Sequence, residues 1–567
     1  MKERYQAWLS KMAMSLILLV FSAFMISDSY ARMKEISGDS TVIPIQGDKP
    51  GLPNAQQRVH RTSDIRACMT NWGFVGSQTR GLNESRGGCY NPNPNLEMPA
   101  PSFEYPPESG LEYLFQGGLW IGAKVDSQTY TTVGCDGWFW IYEMWPDGPA
   151  PRGDILERST RSSVSCYSPD AISDQDIIAV YTDTSADIPL SPQKQDPWDN
   201  RQHFPLGIKV TQKSYSFEED GYDKFIIAEY NVKNIGIYLL SDMYIGFFMD
   251  TDIMHINENP YGEYGAQDDI TGFLSIYEGD TVNIAWAADN DGHGVKGETV
   301  WTSVSPRSVI GMKVLETPNP DLRISYNWWV SNQAGSPKDW GPWKQESRVR
   351  WAQENCYFPG DSAFPDNVLG TPGGDCSKYF IMSNGEIDYD QIFTCVWPSW
   401  YPEQGWLPPS HECRDLIDGY DSKFLLSFGS FDQIDPGDSL NFAVAYVIGE
   451  SLHVDPLNYL HNLNMAHPDS YYAKLYFGDL VKNALRAEKF YHNSYTIVPG
   501  DANADGVVDM VDLIYVIHYL FLKGNSPLPL SVADVNADCM VDIEDVVYLI
   551  NYVLRGGPPL LVGCAKS

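Results

Sequence analysis

Hydrophobic and polar positions alternate along much of this chain. In "KFIIAEYNVKN", Ile226, Ala228, Tyr230 and Val232 fall on one side and Glu229, Asn231 and Lys233 on the other. That period of two marks a half-buried strand. Met243, Ile245, Phe247 and Met249 alternate in the same way. So do Leu440, Phe442, Val444, Tyr446 and Ile448, after a tight turn at Asp435 to Asp438. Aromatic runs at 110–125 and 137–145 are bounded by Gly and Pro and read as further strands. Turn signals recur, and there is hardly a helical period before residue 450. The pattern predicts a mainly β fold: a β-sandwich-type region over 66–450, too long for one simple sandwich and so expected as two packed lobes.

The period then changes. Phe477, Leu480, Val481, Ala484 and Leu485 form a 3.6-residue stripe within a helical segment and linker at 451–498. This helix is expected to dock on the β region. Beyond it the chain says one thing twice: "GDANADGVVDMVDLIYVIHYLF" from Gly500 and "ADVNADCMVDIEDVVYLINYVL" from Ala533. Each copy is an acidic loop running into an apolar helix. Leu513, Ile514, Val516, Ile517 and Leu520, and likewise Val546, Val547, Leu549, Ile550 and Val553, cannot be buried by one copy alone. The two copies must therefore pack face to face.

The loops carry the chemistry. In the first, oxygen side chains recur at Asp501, Asn503, Asp505, Asp509 and Asp512, with Gly506 at the sharp turn and the Val507 carbonyl as a further donor. The second repeats this 33 residues on: Asp534, Asn536, Asp538, Asp542 and Asp545, with the Met540 carbonyl. Alternating oxygens in a tight loop surround one hard cation, so two Ca²⁺ sites are expected. Cys539 stands where the first loop has glycine, which predicts a weaker second site. Only the exiting helix is present at each loop. Pro499 and Gly500 precede the first and "SPLPLSV" the second, so neither is a full EF-hand.

This loop–helix, linker, loop–helix order, with Asp at the twelfth loop position, resembles the type I dockerin module over about 499–567. The resemblance implies calcium binding and docking onto a cohesin-like extracellular partner, commonly in the company of polysaccharide-degrading enzymes. Dockerins contact cohesin through loop positions ten and eleven, often Ser-Thr. Here those positions are Met510 and Val511, then Ile543 and Glu544, the expected partner-binding residues. Cys564, beyond the second helix, is expected to clamp the module through Cys539. The stretches "LWIGAKV" and "SFGSFDQIDPGDSLNFAVAYVIGE" resemble secreted β-rich proteins of environmental bacteria, a resemblance that brings no catalytic residues with it.

Three further features narrow the setting. Lys2, Arg4 and Lys11, an apolar run from Met12 to Ile26, and Ser29-Tyr30-Ala31 read as a signal peptide over 1–31, followed by a flexible lead-in over 32–65. No later run is long enough for a transmembrane helix, so the mature protein is expected outside the cell, secreted or held at the surface. The formal charge of −35 repels nucleic acid and anionic membrane. It suits calcium and tolerates neutral polysaccharide. Ten cysteines behind an export signal predict disulfides between nearest neighbours: 68 with 89, 135 with 166, 356 with 376, 395 with 413, and 539 with 564.

No GxSxG, P-loop or HExxH motif is present. A glycoside hydrolase needs two facing carboxylates. Asp250 with Asp252, and Asp388 with Asp390, are the pairs to inspect, although solvated turn carboxylates are the commoner explanation. Trp328, Trp329, Trp340, Trp343, Trp397, Trp400 and Trp406 would stack sugars if exposed, and are more often core. The sequence thus leads to a dockerin-borne, non-catalytic β-sandwich for binding or surface assembly. The alternative is a polysaccharide-degrading hydrolase delivered by the same module.

Overall fold

The computed structural model describes residues 54–565, except 138–139, 148–152, 197–200, 258–266, 293–300, 320–321, 332–339, 355, 357–369, 410–411, 494, 496–497, 504–506 and 528. The signal peptide and most of the lead-in lie outside the described residues. From Gln57 the lead-in is a strand: Gln57–Val59 pairs antiparallel with Arg66–Thr70 and is buried. A flexible segment up to residue 65 is thereby corrected. Val59 packs on Cys68 and Ala100, contacts that no periodicity within three residues can announce.

Among the described residues two large antiparallel sheets, of eleven and nine strands, make most of the β region, with a two-stranded pair of Asn83–Glu84 and Met98–Pro99 beside them. Gln116–Val125, Leu240–Asp250, Ser422–Ile434 and Arg323–Val330 run side by side in the first. Gln175–Asp183, Ile208–Ser216, Phe225–Asn234, Ser439–Gly449, Val309–Glu316, Asp280–Asp289 and Asp269–Tyr277 run side by side in the second. Their facing sides share one core. Ile121, Ile245, Phe247 and Phe428 come from the first sheet, and Ile226, Ala228, Tyr230, Val232, Phe442, Val444, Tyr446 and Ile448 from the second. These are the alternating positions of the sequence.

Part of the other face of the nine-stranded sheet is buried as well. Ile227, Ala443, Ala445 and Val447 pack there with Leu480, Val481, Ala484 and Ala487 of the helix Gly478–His492. The expected two lobes thus take the form of two cores layered on one shared sheet. Small residues set the helix close: a Cβ at Gly449 would lie 2.6 Å from the Cβ of Leu480. Each large apolar side chain buried there contributes about 1.5–3 kcal/mol.

Among the described residues before 450, the two longest helices, Gln345–Gln353 and Gly374–Ser383, escape the sequence reading. The second is buried along most of its length against the outer face of the eleven-stranded sheet. A Cβ at Gly122 would come within 2.6 Å of Met382 Cε, and Ser427 Oγ donates to the Met382 carbonyl at 3.0 Å. A helix buried nearly all round has no polar stripe to reveal its period.

Disulfides join Cys89–Cys166, Cys356–Cys376, Cys395–Cys413 and Cys539–Cys564. Nearest-neighbour pairing fails for the first four cysteines. Cys89 reaches 77 residues to Cys166, and Cys68 and Cys135 are buried thiols. Cys68 sits within the strand Arg66–Thr70, and Cys135 packs against Gly118. Burial pushes both thiols far above the ordinary range. We therefore expect a thiol reagent to find no reactive cysteine in the native, unreduced protein and two after denaturation. Free thiol at Cys89 or Cys166 would contradict this pairing.

Candidate functional site

Residues 499–565 build a small module around Leu513, Val516, Ala533, Val535, Val546 and Leu549, with Ala502 and Leu560 closing it. Its two helices are Met510–Leu522 and Ile543–Arg555. Both begin identically. Asp509 caps the first, accepting from Val511 N at 2.6 Å, while Asp512 accepts from Asp509 N at 2.9 Å. Asp542 accepts from Glu544 N at 2.7 Å, and Asp545 accepts from Asp542 N at 2.9 Å. These reciprocal boxes satisfy amides that a helix start leaves unpaired. Both helices also end alike, on a left-handed residue, Lys523 or Gly556.

The loops are drawn onto the same carboxylates. Asp512 Oδ1 accepts from Asn503 N at 3.1 Å, and Asp545 Oδ1 from Val535 N at 2.9 Å and Asn536 N at 3.3 Å. Asp512, Asp534 and Asp545 are wholly buried and Asp501 nearly so. Burial pushes the Asp545 carboxyl upward, while the amides of Asp542, Asn536 and Val535 pull it down. In the second loop Asn536 Nδ2 donates to Asp538 Oδ2 at 3.1 Å, and Asp538 Oδ1 accepts from Met540 N at 2.9 Å. Asp505 and Gly506 of the first loop lie outside the described residues. Val507 and Met540, the expected carbonyl donors, have exposed side chains. An all-oxygen donor set with buried carboxylates at both ends of each loop fits a hard divalent cation.

Residues 499–554 match the family model of the dockerin type I domain. Type I dockerin domains bind calcium and dock onto cohesins, and proteins bearing them are typically extracellular. Nothing among curated proteins matches the chain. Two solved structures are similar at a TM-score of 0.21. One is a putative aldose 1-epimerase from Escherichia coli K12, at 7% identity, covering 70% of this chain and 100% of that one. The other is the Slr1438 protein from Synechocystis sp. PCC 6803, at 8% identity, covering 71% of this chain and 98% of that one. Likeness at this level carries no argument. Among the described residues no helix is long and apolar enough to cross a membrane.

The second loop of the dockerin module departs from the first. Cys539 holds φ +67°, the left-handed conformation that the glycine position requires. Its disulfide to Cys564 brings the C-terminal segment across the loop. Asp534 then gathers amides from both sides: Asp538 N at 3.0 Å on Oδ1, and Cys539 N at 3.0 Å, Cys564 N at 2.8 Å and Ala565 N at 3.0 Å on Oδ2. Spacing alone gave Asp534 one role, as a ligand. Its second, as the anchor of the tail, depends on residues 30 positions away and leaves no local signal.

Met510, Val511, Ile543 and Glu544 are exposed at the starts of the two helices, the first three at 43%, 51% and 53%. The opposite side of the dockerin module meets the β region. There Ser531 Oγ donates to Glu219 at 3.1 Å, and Val498, Asp501 and Val532 line a small cavity with Tyr222, Arg486 and Phe490.

The remaining candidates are mostly interior. Asp388 Oδ2 accepts from Trp328 N at 3.0 Å and Asp390 Oδ1 from Phe273 N at 2.7 Å, so this pair stitches a strand of each sheet. Trp328, Trp329, Trp340 and Trp406 are core, Trp343 and Trp397 are partly buried, and Trp400 is exposed. They form no common platform. Asp250 and Asp252 are buried at one end of the strand Leu240–Asp250. A groove of about 800 Å³, lined by Ser241, Asp242, Phe431 and Ile434, lies at the other end of that strand.

Two substitutions separate the roles in the second loop. Asp534→Ala is expected to lower the module's thermal transition in chelator as well as in calcium, by at least about 2 kcal/mol, since it strands several amides. Asp538→Ala, at an exposed site, is expected to stay within about 1 kcal/mol in chelator and to lose part of the stabilisation that calcium adds. Circular dichroism melts of the full chain with and without chelator measure both.

Proposed function

We propose that this is a secreted protein whose dockerin module, loaded with two Ca²⁺ ions, docks the β-sandwich onto a cohesin-like extracellular partner, the sandwich serving as a non-catalytic binding or surface-assembly region. Asp501, Asn503, Asp505, Asp509 and Asp512, with the Val507 carbonyl, hold the first ion. Asp534, Asn536, Asp538, Asp542 and Asp545, with the Met540 carbonyl, hold the second. Export through cleavage near Ala31 delivers the chain to calcium, and its four disulfides suit that setting.

The observation that carries this reading is the exposure of Met510, Val511 and Ile543 on a module whose own core is already closed. Apolar side chains left in water at related positions of both copies are contact surface. They do not cap the β region, which the module meets through Ser531, Val498 and Val532 instead. Calcium fixes the loops from which both helices start, and so fixes the spacing of the two exposed pairs, Met510-Val511 and Ile543-Glu544.

The test is capture of the calcium-loaded full chain on immobilised cohesins. The double variant Val511→Asp, Ile543→Asp is expected to abolish capture while shifting stability by no more than about 1 kcal/mol, as exposed substitutions do. Undiminished capture would refute the assigned face. A large loss of stability would instead return those side chains to a folding role.

A further inference from the structure

The acidic residues at one end of the sandwich do more than turn the chain. Asp250 ends the strand Leu240–Asp250, Asp252 follows it, and Asp421 immediately precedes the strand Ser422–Ile434. Antiparallel pairing of those strands sets Asp250 opposite Lys423. One carboxylate oxygen from each of Asp250, Asp252 and Asp421 lies within 4.8 Å of the others. Asp250 and Asp252 are 4% and 7% exposed.

The donors around them are unequally shared. Lys423 Nζ stands 3.0 Å from Asp250 Oδ1 and also donates to Asp421. Gln116 Nε2 donates to Asp250 Oδ2 at 3.2 Å. Among the described residues Asp252 receives no side-chain donor, only its own backbone N–H, although it is more than nine-tenths buried and its carboxylate points into the cluster. Next to it Asp269, wholly buried, accepts from Ile253 N at 2.9 Å with Oδ2, while its Oδ1 has no hydrogen-bond partner among the described residues.

Among the described residues, Lys423 is the cationic side chain that touches these carboxylates. Three carboxylates and one ammonium leave a deficit of two positive charges, before Asp269 is counted. Like charges this close in a dry site repel strongly unless something neutralises them. The donors are all oxygens, which favours a hard cation over zinc or copper.

We propose that Asp250, Asp252 and Asp421 form a divalent cation site within the β region, a calcium site separate from the dockerin loops, with Asp269 beside it. Backbone carbonyls and water complete the shell. The ion ties the end of Leu240–Asp250 to the start of Ser422–Ile434, with Lys423 retained as the neighbour of Asp250 and Asp421. Asp421 lies about 170 residues from its partners in sequence, so no loop motif could disclose the site.

Terbium is the probe, because its emission can be excited through a nearby tryptophan. Every tryptophan precedes the dockerin module, and Trp329 pairs directly with Lys423. The full-length mature protein is expected to give tryptophan-excited terbium emission that calcium displaces. Asp252→Asn should remove it, and the loop double variant Asn503→Ala, Asp538→Ala should leave it unchanged. Absent emission, or emission indifferent to Asp252→Asn, overturns the proposal in favour of a protonated Asp252. If Asp252→Asn does not fold, Asp421→Asn replaces it. If neither folds, the wild type decides: saturable, calcium-displaced emission that survives the loop double variant supports the site, and its absence rejects it.

Discussion

The nine-stranded sheet is buried on its inner face and, where the helix Gly478–His492 lies against it, on its outer face too, and the rest of the molecule is arranged around that constraint. Beneath the helix a strand has no water-facing side on which to spend polar residues; beyond it Asn231, Lys233, Ser439 and Asn441 face outward. Ser439–Gly449 accordingly sends Phe442, Val444, Tyr446 and Ile448 toward the opposing sheet and the smaller Ala443, Ala445 and Gly449, with Val447, toward the helix Gly478–His492. The helix must then lie close, because shallow residues make no contact at a distance. The same economy holds on the outer face of the other sheet, where Gly122 and Gly246 admit Met382.

Burial on this scale forces polar groups at the strand ends to find partners inside the protein. Asp388 and Asp390 do so by accepting strand amides from opposite sheets. His60 lies between Ser214 and Ser216, 2.8 Å from each hydroxyl, and burial lowers it to about 3. His203 lies between Glu143 and Asp183, at 3.0 and 2.6 Å, which hold it protonated. One imidazole is thus neutral and the other charged within the same interior, according to whether hydroxyls or carboxylates face it.

The parts legible in the sequence are those governed by near neighbours. Alternation at 226–232 and 440–448 named the inner core side chain by side chain, and the stripe at Leu480, Val481 and Ala484 named the docking helix. The doubled loop gave the dockerin module, since its motif rests on spacings of a few residues, and the last two cysteines gave the bridge that closes it. Illegible were the helix Gly374–Ser383, hidden by burial all round, and the Cys89–Cys166 bridge, which sheet order brings together across 77 residues. The tryptophans misled for a related reason. An aromatic in a Pro/Gly-bearing stretch is equally a lid on a core, and Trp328 and Trp340 pack edge to face beneath theirs.

The tail clasp at Asp534 has a consequence for the order of maturation. The first loop has no cysteine, so no disulfide bears on it. In the second, the left-handed turn at Cys539 is held by a bond to Cys564, and the tail amides reach Asp534 along with it. On the proposed reading, oxidation and calcium act on the same loop from opposite sides. A reducing, calcium-poor compartment supplies neither, and the two exposed pairs then reach their working separation only where oxidant and calcium occur together: the module would act as a coincidence detector for that place.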